Sequence, residues 1–126
     1  APHDSLRELV EALSAVLSGE PSRARARWNC EPEQYDFELS AEGARARLRV
    51  TRHTGRGRGA REVFAHEAEP LRLVLPFWRE LRELRRRTGE DDFEKNWRRA
   101  FPETELRELT RLVRTRRRER RQEDRG

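Results

Sequence analysis

Apolar and polar side chains alternate strictly in three consecutive runs, at residues 23–30, 34–40 and 44–51. A period of two is the pattern of a β-strand that buries one face and exposes the other. Alanine and arginine dominate the first and third runs and are good helix formers, but the alternation persists through all three runs and outweighs that propensity. Breaks at Glu31-Pro32-Glu33 and Glu42-Gly43 mark the turns. The pattern therefore predicts an antiparallel meander with one apolar face.

Four-residue loops on either side of the second run would set its pairing. They would place Glu38 opposite Arg45 and Asp36 opposite Arg47, with Arg27 opposite Glu38 on the other side. Opposite charges on neighbouring strands contribute roughly 0.2–1 kcal/mol a pair. The aromatic residues of these runs fall on the inner face, whereas a sheet that binds nucleic acid exposes its aromatic residues. We therefore interpret the strand arginines as ion-pairing positions on a solvated face.

A first helix is predicted before the meander. Leucines and valines recur at helical spacing from Leu6 to Leu17, which indicates an amphipathic helix. Ser5 and Glu8 have the spacing of a capping box, in which each side chain bonds the backbone N–H of the other residue. Gly19 provides a left-handed stop. The helix therefore needs a sheet or another helix to cover its leucines.

Residues 61–67 are predicted to return as a fourth strand, and a helix is predicted to begin at Glu69-Pro70 because proline is favoured in a first helical turn. Pro76 lies inside the apolar pattern of this helix. It either kinks one helix, or begins it and leaves Leu71–Leu75 extended. We favour one kinked helix.

The C-terminal part is predicted to be helical. Residues 91–101 form a short helix that places three aromatic residues on one face, namely Phe93, Trp97 and Phe101, and a last helix begins at Pro102. The fold class is therefore α+β: an N-terminal helix, an antiparallel β-meander of three to four strands, then two to three C-terminal helices. Residues 1–113 are predicted to form a single globular domain, and residues 114–126 a basic C-terminal helix extension or tail, because no apolar residue follows Val113.

The net charge of +5 lies entirely in the last 21 residues. Leu106–Gly126 holds nine arginines and four acidic residues, whereas residues 1–60 carry +1 and residues 61–105 carry −1. The chain has 28 arginines, one lysine and neither isoleucine nor methionine. That usage is typical of a GC-rich genome, so the placement of the arginines is more informative than their number. Their placement sets a basic segment apart from a near-neutral body, and such a segment attracts anionic partners.

Two basic segments are candidates for contact with an anion or with nucleic acid, namely the C-terminal arm and the glycine-rich loop at 55–59. No aromatic residue is interleaved in the arm, so it would bind phosphate backbone by counterion release and would not read bases. A solvated helix end is the alternative. The loop does not resemble a phosphate cradle, since a strand and not a helix follows it. The candidate residues are Arg56, Arg58, Arg114, Arg116, Arg117, Arg118, Arg120 and Arg121.

Catalytic chemistry finds little support in the chain. The single cysteine, Cys30, excludes an internal disulfide and fits a reducing compartment, and its position beside Trp28 on the inner face favours a core role. The histidines lack metal-ligand spacing, and there is no nucleophile elbow, zinc motif or Walker loop. We predict no catalytic, cofactor or metal site and no enzyme activity. A small hydrolase or nuclease built around Glu62, His66 and Glu67 is a third alternative.

Phe77 and Trp78 are adjacent in a predicted helix and cannot both face the core, so one of them is a candidate partner surface. We therefore expect a non-catalytic protein-interaction module of a small cytoplasmic bacterial protein: an adaptor, an immunity-type neutraliser or an accessory subunit. Its partner would be another protein or a homodimer mate. The alternative is a nucleic-acid-associated protein that binds phosphate backbone through its basic C-terminal arm. No apolar run approaches the ~20 residues that span a bilayer, so no membrane contact is expected.

Overall fold

The computed structural model describes residues 5–30, 33–54, 59–87 and 101–125. Helix α1 spans Ser5–Val16 and is followed by four strands, β1 (Ser22–Cys30), β2 (Glu33–Glu42), β3 (Arg45–Thr54) and β4 (Ala60–Ala68). Two further helices follow, α2 (Pro70–Arg87) and α3 (Glu103–Arg125). The predicted α+β order is confirmed, including the fourth strand. The short helix predicted at 91–101 lies outside the described residues, apart from Phe101, which is buried in the core.

The strands form an antiparallel sheet in the order β1-β2-β3-β4. Alternation decides which side chains the helices cover: Ala46, Leu48 and Val50 of β3 are buried, and the arginines between them are exposed. The helix-covered side is called the inner face below, and the opposite side the open face. Each run of the predicted meander presents the expected set of side chains to each face.

The turn between β2 and β3 is tighter than the predicted four-residue loop. Glu42 lies opposite Arg45, so the turn consists of Gly43 and Ala44 alone. Gly43 has a φ of +59°, and a positive φ is what a two-residue hairpin turn requires. As a result Glu38 lies opposite Arg49 and Asp36 opposite Thr51. The expected pairing of Glu38 with Arg45 and of Asp36 with Arg47 is wrong.

The pairing between β1 and β2 also differs from the prediction. Arg27 lies opposite Asp36, and Arg25 takes the place opposite Glu38. The pairing is shifted by two positions here and by four at the other hairpin. Because both shifts are even, the side chains that the structure describes keep their predicted faces, since neighbouring side chains of a strand point to opposite sides.

Helix α2 is continuous from Pro70 to Arg87 and contains Pro76. The prediction of one helix is therefore confirmed, and Leu71–Leu75 is helical. A proline within a helix removes the hydrogen bond to the carbonyl four residues earlier, here that of Arg72. Both Pro76 and Arg72 are exposed, so water can bind that carbonyl.

The core lies between the inner face of the sheet and the three described helices. Each layer contributes residues that are at most 1% exposed: Val10 and Leu13 from α1, Leu39 from β2, Val74 from α2, and Leu109 and Val113 from α3. Trp78 joins α2 to α3, since its Nε1 donates a hydrogen bond to Thr110 Oγ1 at 3.0 Å. The helices cover the inner face of the sheet only as far as β3, because eight of the nine residues of β4 are exposed.

Candidate interaction surfaces

Ion pairs cross the open face from strand to strand. Arg27 Nε lies 3.1 Å from Asp36 Oδ1, Arg25 Nη2 lies 3.9 Å from Glu38 Oε1, and Arg49 Nε lies 2.9 Å from Glu62 Oε1. Asp36 and Glu38 of β2 pair with arginines of β1 as expected in kind, but the partners are Arg27 and Arg25, and the expected pairs with Arg45 and Arg47 are replaced by the pair of Arg49 with Glu62 of β4. Arg25, Arg27 and Arg49 therefore serve cross-strand pairing.

Asp36 is the most deeply placed group of this face, at 5% exposure. Its second oxygen, Oδ2, lies 2.9 Å from His53 Nε2. Sequence reasoning missed this contact, because the expected register put Arg47 and not Thr51 opposite Asp36. An aspartate that orients a histidine also occurs in proton-transfer sites, but here both carboxylate oxygens hold neighbouring strands together. We therefore assign the cluster a structural role.

The β1 edge of the sheet is covered by α1. Ser5 Oγ donates a hydrogen bond to the backbone oxygen of Arg27 at 2.5 Å, and the backbone N–H of Arg27 donates to Glu8 Oε1 at 3.1 Å. Beyond the capping box that their spacing predicts, these two side chains engage the outward backbone groups of a strand. The reason is geometric, since α1 packs along β1 and brings its first turn beside the strand. A partner strand cannot pair with β1 at this residue.

The β4 edge of the sheet is open to solvent. Val63 is 46% exposed and Phe64 is 51% exposed. Among the described residues, these are the two large apolar side chains that are exposed. Val50 lies opposite Phe64 and Thr51 opposite Glu62, so Val63 is the extra residue of a β-bulge. Regular pairing therefore covers Phe64–Ala68. The consecutive apolar residues 63–65, which break the alternation, were the signal for this feature in the sequence.

The aromatic pair singled out in α2 is divided between core and surface. Trp78 is 4% exposed and belongs to the core. Phe77 is half-buried and packs against that core. Of the two candidate partner-surface residues, Phe77 is therefore the accessible one, and it is less exposed than Phe64.

The basic C-terminal arm is the second half of α3, and part of it is packed against the body. Arg116 donates hydrogen bonds from Nε and Nη2 to the backbone oxygen of Leu17, at 3.1 and 3.0 Å. Arg120 Nη1 lies 3.7 Å from Glu69 Oε1. Arg114, Arg118 and Arg121 are exposed, and Arg117 is half-buried. Two of the six candidate arginines, Arg116 and Arg120, thus contact the body.

The remaining candidates give no assembled site. Arg56 and Arg58 lie outside the described residues, as does the side chain of Cys30. Glu62 and Glu67 lie opposite Thr51 and Arg47 on the open face, whereas His66 lies opposite Leu48 on the inner face. The alternative built on these three residues therefore lacks a shared face. Within residues 5–30, 33–54, 59–87 and 101–125, no group of three or more His, Cys, Asp and Glu side chains could hold a metal ion.

Comparison of the chain with protein families, with curated proteins and with solved structures yields no match. None of the helices in the described ranges is long and apolar enough to cross a membrane.

Proposed function

We propose that this chain is a non-catalytic protein-interaction module that receives its partner at the β4 edge. The observation that carries the proposal is the difference between the two edges of the sheet. Side chains of α1 occupy the backbone groups of Arg27 at the β1 edge, and β4 has no strand on its outer side among the described residues. An uncovered edge strand offers a row of backbone donors and acceptors to an incoming strand.

The exposed apolar side chains give this edge an anchor. Phe64 lies opposite Val50 on the inner face, but the helices do not extend over it, so half of its surface remains in water. An aromatic side chain of this kind contributes strongly when a partner covers it. The bulge at Val63 interrupts the edge, so a partner strand would pair along residues 64–68.

The biological roles consistent with this proposal are an adaptor, an accessory subunit or an immunity-type neutraliser in a bacterial cytoplasm. The near-neutral body, with +1 in residues 1–60 and −1 in residues 61–105, argues against neutralising a basic toxin, for which an acidic surface would be complementary. The partner is another protein or a second copy of the chain.

Site-specific photocrosslinking in the source cells tests the proposal. A photoreactive phenylalanine analogue replaces Phe64 in one variant and Thr104, an exposed residue of α3, in a matched control. We expect a discrete crosslinked product from position 64 and little from position 104, and the mass of that product distinguishes a second copy from another protein. In a pull-down with the partner so identified, Phe64→Ser should weaken binding about 30-fold, the size of a buried aromatic hot spot.

Three results would contradict the proposal: equal crosslinking from both positions, no product from position 64, or turnover of a substrate by the purified protein. Phe64→Ser should leave the thermal unfolding midpoint nearly unchanged, because the side chain is half exposed before any partner binds. A large drop would mean that lost binding reports on folding, and the crosslinking result would then decide.

A second candidate function is association with nucleic acid through α3. It is supported by Arg114, Arg118 and Arg121, which are exposed and recur at the helical spacing of one face. Binding of this kind would follow the phosphate backbone and weaken steeply as salt rises. The variant Arg114→Gln/Arg118→Gln/Arg121→Gln, titrated with a labelled oligonucleotide in the experiment below, measures their contribution.

A further inference from the structure

A basic groove runs between α2 and α3, with a cavity of about 590 Å³. Among the described residues that line it, five are arginines and two are glutamates. Leu106 and Thr110 of α3 also line it. A groove of this size suits a small ligand or one segment of a larger one. Its charge stands out because the body as a whole is near-neutral.

The two glutamates are already engaged by other arginines. Glu103 accepts hydrogen bonds from Nε and Nη2 of Arg85, both at 3.1 Å. Glu83 accepts from Arg86 at 2.9 Å and from Arg87 at 3.1 Å. Their negative charge is therefore largely neutralised.

Three arginines of the groove remain available for a ligand. Arg79, Arg82 and Arg107 form no ion pair with any carboxylate of the described residues. All three are exposed, and Arg79 and Arg82 lie three residues apart on one face of α2. Like charges that line one groove repel each other, and a bound anion relieves that repulsion.

Arg82 is supported by an aromatic ring. Its guanidinium lies over the Trp78 ring, 4.8 Å from the ring centroid. The ring itself is fixed, because Trp78 Nε1 donates to Thr110 Oγ1 and that hydroxyl donates to the backbone oxygen of Leu106 at 2.8 Å. A guanidinium that lies over a ring keeps N–H groups available for a planar, two-point contact with a ligand. Phosphate oxygens match that geometry.

We propose that the groove between α2 and α3 binds a phosphate group, with Arg79, Arg82 and Arg107 as the donors. The phosphate could belong to a small phosphorylated compound or to a nucleic-acid backbone, since the chemistry is shared. The site is separate from the β4 edge and does not depend on the proposed function. It also differs from the exposed face of α3, which contains Arg114, Arg118 and Arg121.

The full chain is titrated with inorganic pyrophosphate by calorimetry and with a labelled oligo-dT by fluorescence anisotropy, from about 50 mM to about 200 mM salt. The groove variant is Arg79→Gln/Arg82→Gln/Arg107→Gln. The matched control, Arg23→Gln/Arg45→Gln/Arg72→Gln, removes the same charge from exposed positions outside the groove. The variant Arg114→Gln/Arg118→Gln/Arg121→Gln is titrated with the oligo-dT only, as the test of the second candidate function. We expect pyrophosphate to bind the wild type, the groove variant to bind it about tenfold more weakly or worse, and the control to bind it within about twofold of wild type.

Because Arg82 contacts the core residue Trp78, the double variant Arg79→Gln/Arg107→Gln is measured alongside, and its thermal unfolding is compared with wild type. Oligonucleotide binding that the groove variant also loses assigns the phosphate to nucleic acid, and oligonucleotide binding that it retains assigns the phosphate to a small compound. The proposal is overturned if the wild type does not bind pyrophosphate, or if the groove and control variants weaken binding equally. The latter result would mean that net charge alone attracts the probe.

Discussion

Gly19 is subject to two constraints at a single residue. Its φ is +88°, a conformation that residues with a Cβ rarely adopt. A Cβ at this position would also lie 2.8 Å from Arg116 Nη2, the group that donates to the backbone oxygen of Leu17. The left-handed stop at Gly19 could be predicted from residue type. The contact with Arg116 could not, because 99 residues separate Arg116 from Leu17 and no local pattern encodes their approach.

We expect Gly19→Ala to destabilise the protein more than Gly43→Ala does. Each substitution costs about 1 kcal/mol for the left-handed backbone. Gly43 has no atom within 4 Å of the added Cβ, whereas Gly19→Ala also displaces the Arg116 guanidinium, a further cost of about 1 kcal/mol. Chemical denaturation of both variants measures the difference. Equal losses of unfolding free energy would mean that Arg116 moves aside at no cost.

At the scale of elements, α1 is both a core helix and the cover of a sheet edge. The sequence predicted the two faces of the meander correctly, because period two in the side chains decides them. It did not predict the register, because the strands continue through residues that resemble loops, such as Glu42. The contacts of Ser5 and Glu8 with the backbone of β1 could not be predicted either, because a capping box and an edge contact use the same residue types.

We expect Ser5→Ala and Glu8→Ala to expose the backbone of Arg27 and to destabilise the protein by about 1 kcal/mol each. The readout is hydrogen exchange at the Arg27 amide, which should become faster in Glu8→Ala because that side chain accepts its hydrogen bond. Glu11→Ala, an exposed position of the same helix, is the control. Unchanged exchange at Arg27 in Glu8→Ala would contradict the edge-cover interpretation.

At the scale of the whole molecule, the loss of folding stability as the pH falls should depend on arginine–glutamate pairs of the helices. Hydrogen bonds from Arg86 and Arg87 lower the pKa of Glu83 below its ordinary value of 4.5, and a hydrogen bond from Arg111 does the same to the pKa of Glu108. A carboxylate whose pKa is lowered by folding stabilises the folded state at any pH above the ordinary pKa of that group. That contribution is lost as the pH falls through the lowered pKa.

The variant Glu83→Gln/Glu108→Gln should therefore be less stable than wild type at neutral pH and should match it well below pH 4.5. Glu108 is exposed and Glu83 is partly exposed, so the difference is small and should shrink as salt rises. Unfolding midpoints measured across this pH range at low ionic strength provide the test, with Glu80→Gln, at an exposed position of α2, as control. A gap that is constant with pH would mean that the pairs do not act through their charge.

The candidate surfaces differ in how far the sequence could predict them. The fourth strand was predicted, but its lack of cover was not, because only the packed positions of α2 and α3 show where the inner face ends. The basic arm was predicted to extend from the body as a single basic segment. In the structure two of its arginines, Arg116 and Arg120, contact the body instead. The α2–α3 groove combines residues from two helices with Trp78 beneath them, so no single stretch of sequence encodes it.

The strand order has a consequence for the route by which the chain folds. Each strand pairs with its neighbour in sequence, so the sheet assembles from local hairpins that close short loops quickly. Arg116 of α3 must then reach Leu17, just after α1, across a separation of 99 residues. The entropic cost of closing that loop is smaller once the sheet between them is compact. We therefore expect the sheet to form before α3 docks on it. Until α3 docks, its leucines and the leucines of α1 that it covers would be open to water and to other chains.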